Sequence, residues 1–177
     1  MLHLQQYDFY SVAADVLPES AEQLFAACKR PLVKMQSWDG AVKQQLHSAA
    51  SIGFTATHLR GALVLALPEN TLMALSPLSG AQREELRNDW LCELANQLLG
   101  RVKNKLLAWD LTISLSMALA IRAAHLQLRL RDRQVVGCCL SDGYLEAYAW
   151  IDALALPDLK LTLSGTEAQA EGELVLF

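Results

Sequence analysis

The hydrophobic period of this chain changes near residue 108, and that change constrains the fold more than any other feature. From about Ala81 to about Ala108 the pattern is helical. Leu91, Leu94, Ala95, Leu98, Val102 and Leu106 recur at spacings of three and four and fall on one side of a helical wheel. Ser79 is the candidate N-cap. Beyond that point the period is two: "LTISLSM" alternates, and "HLQLRLR" puts Leu126, Leu128 and Leu130 on one face. A long one-sided helix followed by half-buried strands predicts an α+β fold with mostly antiparallel pairing.

The remaining segments fit that class. Residues 1–17 read as a lead-in, and "LPESAEQLFAACKRPLVKMQ" as a helix that starts at Pro18, Glu19 and Ser20 and ends or kinks at Pro31. "HSAASIGFTATHLRGALVLALP" reads as two short strands around a turn at His58 to Gly61, and "PENTLMALSP" as a short helix. "VVGCCLS" and "YLEAYAWI" flank Asp142-Gly143, a strong hairpin signal. "LKLTLSG" reads as a further strand and "GELVLF" as a last one. A helix followed by strands occurs twice, so a helix-strand-strand unit repeated twice is expected, with two long helices on the sheet. With 177 residues, a single domain spanning 1–177 is the expectation.

Composition excludes several function classes. Hydrophobic residues are 53% of the chain, charged residues 19%, and the net charge is −4, which gives no electrostatic footprint for nucleic acid. No apolar run approaches a membrane span, and "MLHLQQYDFY" lacks the basic-then-apolar pattern of a secretory signal, so a cytoplasmic location is expected. Cys28, Cys92, Cys138 and Cys139 form no CxxC pair, and the adjacent Cys138 and Cys139 point to opposite faces of a strand. His3, His47, His58 and His125 are scattered, so no metal site is expected.

The polar side of the long helix admits two readings. In "ELANQLLGRVKNKL", Glu93, Asn96, Gln97, Gly100 and Asn104 lie opposite the apolar stripe, with Glu93 and Asn96 neighbours three apart. A glycine inside a helix costs about 1 kcal/mol relative to alanine, and asparagine is a poor interior residue because its amide competes for backbone bonds. A solvated face carrying two indifferent residues is one reading. A docking surface with an exposed carboxylate, a carboxamide able to hold a water, and a flat point of approach is the other.

Glu93-Leu94-Ala95-Asn96, then Gly100, then Lys105-Leu106 resembles the ExxNxxxG signature of the CheC/CheX/FliY chemotaxis phosphatases. The setting is similar too: "SIGFTATHLRGALVLALPENTLMAL" resembles the family's strand pair and short helix, and "DLTISLSMALAI" its following strand. The resemblance covers roughly residues 18 to 164 and is nearest the CheX branch, with one ExxN helix. In the first helix Glu22 is followed three later by Phe25, not Asn.

The resemblance implies a CheX/CheC-like fold and a phosphatase for the aspartyl phosphate of a CheY-like response regulator. It implies that Asn96 orients the hydrolytic water and that Glu93 pairs with the regulator's active-site lysine. The regulator supplies the Mg2+ and the phosphorylated aspartate, so this chain needs no metal of its own. From the wheel, Gly100 allows close approach, with Gln97 and Asn104 at the rim of the contact. A homodimer through edge strands, as in CheX relatives, is a further expectation. A non-catalytic binding module of the flagellar-switch kind on the same fold is the alternative.

Overall fold

In the computed structural model, residues 6–35, 47–76, 84–123 and 134–164 are described. A short strand, β1 (Gln6–Tyr7), leads directly into helix α1 (Phe9–Ala27). The helix therefore starts well before Pro18, and residues 9–17 are its first half rather than a lead-in. Two causes act together. Asp8 is a true N-cap, its carboxylate accepting the Ser11 N–H at 3.0 Å. Phe9, Val12, Ala13, Val16 and Leu17 then form a buried stripe continuous with Ala21, Leu24 and Phe25. Pro18 sits buried inside the helix. It removes one bond to the carbonyl of Ala14, a residue on the exposed side of the helix.

After β2 (Val33–Lys34) come β3 (His47–Ala56) and β4 (Leu59–Pro68), a hairpin of ten-residue strands. Its turn is at Thr57 and His58, earlier than the sequence pattern indicates. Gly61 belongs to β4 and serves close packing rather than a turn. A Cβ there would lie 2.6 Å from the Asp152 carbonyl oxygen of a neighbouring strand. Helix α2 (Glu69–Leu75) and the long α3 (Glu84–Leu106) follow. A 3-10 turn at Leu107–Trp109 and left-handed Asp110 (φ 57°) then release the chain toward β5 (Ser114–Ala123). The hairpin β6 (Gln134–Ser141) and β7 (Glu146–Ala155) closes at Asp142-Gly143 as expected, with Gly143 at φ 94°. The Asp142 carboxylate accepts the N–H groups of Tyr144 and Leu145. Finally β8 (Leu161–Thr162) pairs with β1. Ser79, the alternating Leu126–Leu130 segment and "GELVLF" lie outside the described residues.

The six strands β2-β6-β7-β4-β3-β5 form one sheet, antiparallel throughout. The order has an internal two-fold logic. The unit α1-β2-β3-β4 is matched by α3-β5-β6-β7, so each helix is followed by three strands, one more than the pattern suggests. In both units the last two strands form a hairpin, and β4 and β7 meet at the centre. The first strand of each unit crosses over: β2 pairs with β6, and β5 with β3. The helices cross as well, α1 packing on β6 and β7, and α3 on β3 and β5.

Both long helices cover one face of the sheet. Against it α3 buries Leu91, Leu94, Ala95, Leu98, Leu99, Val102 and Leu106. Each buried leucine contributes about 1.5–3 kcal/mol relative to exposure, so the helix is held rigidly by its apolar side. Cys138 belongs to this core, whereas Cys139 faces the reverse side with Ala49, Ala66, Tyr148 and Trp150, as expected of neighbours on a strand. Leu119 and Ile121 on β5, opposite Ser51 and Ala49, leave that reverse face partly exposed.

Candidate functional site

The core stripe fixes which way the rest of α3 points. Glu93 and Asn96 are both exposed, while Gln97, Gly100 and Asn104 are half-buried on the same side. Along the helix the exposed positions Glu85, Leu86 and Asp89 continue this face toward the N-terminus. All five residues picked from the sequence therefore lie on the side of α3 turned away from the sheet.

The helix is braced at both ends. Arg87 donates to Glu69 of α2 at 2.8 Å. Lys105 donates to Glu19 of α1 at 2.7 Å. Neither brace carried a signal in the local sequence, because each joins residues distant along the chain. Between the braces, Asn96 makes no side-chain hydrogen bond among the described residues. Its carboxamide keeps a donor and an acceptor for an external group.

Glu93 has one intramolecular partner among the described residues: Gln97 Nε2 donates to its Oε1 at 2.8 Å. The i, i+4 spacing that permits this bond is visible in the sequence. Gln97 is thus engaged with Glu93 in addition to bordering the exposed face. Gly100 answers a different question. A Cβ built on it meets nothing within 4 Å. No neighbour in the described structure requires a glycine there, so the missing side chain leaves an unfilled space on the outside of the helix.

The corresponding stretch of α1 is built differently. Phe25 is fully buried in the core, and Glu22 Oε1 accepts the backbone N–H of Lys34 at 2.7 Å. Its carboxylate closes a strand end and its hydrophobic partner packs inward, so positions 22 and 25 present no exposed carboxylate-carboxamide pair like that of Glu93 and Asn96. Among the described residues, no three His, Cys, Asp or Glu side chains converge as metal ligands. No described helix is long and apolar enough to cross a membrane.

No family model and no curated protein matches the sequence. Solved structures do match the fold. Chemotaxis protein CheX from Vibrio vulnificus superposes with a TM-score of 0.70 at 12% identity, covering 83% of this chain and 99% of that one. A CheC-like superfamily protein from Shewanella sp. PV-4 gives a TM-score of 0.69 at 17% identity, with the same coverage of 83% and 99%. The structure of a CheX-CheY-BeF3-Mg2+ complex from Borrelia burgdorferi gives 0.62 at 9% identity, covering 82% of this chain and 97% of that one. The chain has the CheX/CheC-like fold.

Proposed function

We propose that this chain is a phosphatase for a CheY-like response regulator and that α3 is the element it inserts into the regulator's active site. The observation that carries this reading is the paired exposure of Glu93 and Asn96 on a helix rigidly backed by the core. The CheX-CheY complex among the solved structures of this fold supports a CheY-like partner.

The chemistry asked of the chain is positioning. Water attacks phosphorus in line, the bond between phosphorus and the aspartyl oxygen breaks, and inorganic phosphate and a free carboxylate result. The regulator's Mg2+ would neutralise charge on the phosphoryl oxygens. Asn96 accepts from and donates to the attacking water and the phosphoryl group together, holding the water on the line of attack. Glu93 pairs with the regulator's active-site lysine and sets the docking register. Gly100 lets the two backbones approach, and Asn104 borders the contact. The same proposal includes a cytoplasmic location, where such regulators work. It also includes a homodimer through β5, the edge strand of the sheet among the described residues, whose Met117 is 90% exposed and Leu119 63% exposed; a purely monomeric chain at micromolar concentration in sedimentation velocity would remove that part.

The test is dephosphorylation of the host's CheY-like regulator. Asn96→Ala should lose about 100-fold or more of the acceleration, the scale of a misplaced reacting group, with binding retained. Glu93→Ala should raise KM. Full turnover by Asn96→Ala would sink the mechanism. Tight binding by the wild-type chain without faster dephosphorylation would mark a binding module instead.

A further inference from the structure

Gln97 lies one turn beyond Glu93, and its carboxamide is split between two environments. Nε2 donates to Glu93 Oε1 at 2.8 Å. Oε1 is buried and has no hydrogen-bond partner among the described residues. Here the amide is oriented by the carboxylate: the amino group must face Glu93, because the carbonyl would set one acceptor against another. An unmet buried acceptor opposes the arrangement, and the charge-assisted bond holds it in place.

We propose that Gln97 is a positioning residue for Glu93. By holding Oε1 it fixes the carboxylate against the helix and presents Oε2 in one direction before the regulator arrives. A free glutamate has three side-chain torsions to immobilise on docking, and that ordering opposes association. Gln97 performs the ordering within the free protein. Its effect is on encounter and register, not on the water that Asn96 orients. This inference rests on the phosphatase reading and assigns one of its residues a role separate from partner contact.

Steady-state dephosphorylation of the CheY-like regulator, charged with acetyl phosphate and Mg2+, tests it with Gln97→Met, which keeps the length and removes the donor. KM should rise about three- to ten-fold, the scale of one newly mobile side chain, with kcat within about twofold. In the Glu93→Ala background Gln97→Met should add nothing. An unchanged KM, or an added loss in that background, overturns the assignment of Gln97 and leaves the phosphatase reading standing. A wild-type chain that does not shorten the regulator's phosphorylated lifetime overturns both. If Gln97→Met does not fold, 15N relaxation of the Gln97 side-chain amide decides. It should be ordered in the wild-type chain and mobile in Glu93→Ala, and equal mobility overturns the proposal.

Discussion

Gly100→Ala is the substitution in which stability and activity should move in opposite directions. The added methyl group meets nothing within 4 Å, so no clash offsets the gain in helix propensity. That gain is about 0.8–1.0 kcal/mol in a helix interior. For a chain of this size it corresponds to a rise in Tm of about 2–4 °C. The same methyl group occupies the space on the outer side of α3, beside Glu93 and Asn96. If a partner's backbone comes to that point, overfilling a packed contact costs about 1–3 kcal/mol. In kcat/KM for the phosphorylated regulator this is a fall of about 5- to 150-fold. Differential scanning calorimetry and the dephosphorylation assay together read both effects. A lower Tm would mean that a neighbour within the chain needs the glycine. A higher Tm with unchanged kcat/KM would mean that no partner approaches there, and the docking assignment of this face would fall.

Two further substitutions probe the framework. Asp8→Ala removes the cap of α1 and should lower stability by about 1 kcal/mol at neutral pH, read as a shift in urea midpoint. The backbone N–H of Ser11 holds the Asp8 carboxyl below its usual 3.8. The contribution is therefore present above that value and lost as pH falls through the folded value, so wild type and variant should converge in acid. A gap that persists at about pH 2 would show that the carboxylate is not the cap.

Burial pushes the Cys138 thiol from 9.0 up to about 12. A raised folded value contributes stability that is whole below 9.0 and lost as pH rises toward about 12. Urea midpoints should decline between about pH 8 and about pH 10.5 in the wild type, and less steeply in Cys138→Ala. Equal slopes would refute the assignment. The protonated thiol should also resist alkylation in the folded chain.

The α3 face was legible because burial there follows helical spacing residue by residue. Leu91, Leu94, Leu98 and Val102 name the inner side, and Glu93 and Asn96 then point out by geometry alone. The start of α1 was hidden because Pro18 mimics a first-turn proline, and only the apolar residues from Phe9 onward with the Asp8 cap overrule it. The β3–β4 turn was misplaced because Gly61 looks like a turn glycine, while its cause is the backbone of β7 across the sheet. The crossing of β2 and β5 left no local mark, since pairing partners far apart are not encoded in either segment's own pattern. For the same reason the braces Arg87–Glu69 and Lys105–Glu19 could not be read. The Glu93–Gln97 bond, by contrast, lay at a spacing the sequence displays.

The crossed strands also set a timetable for synthesis. Val33 pairs with Ser141, and Gln6 with Thr162. At about 5–20 residues per second, the ribosome makes β2 roughly 5–20 s before its partner strand exists. Throughout that interval α1 has its apolar side made without β6 and β7, the two strands of the sheet it packs on. The N-terminal half therefore lacks its partner strand until the second hairpin emerges, and β2 is secured only when the halves close on one another.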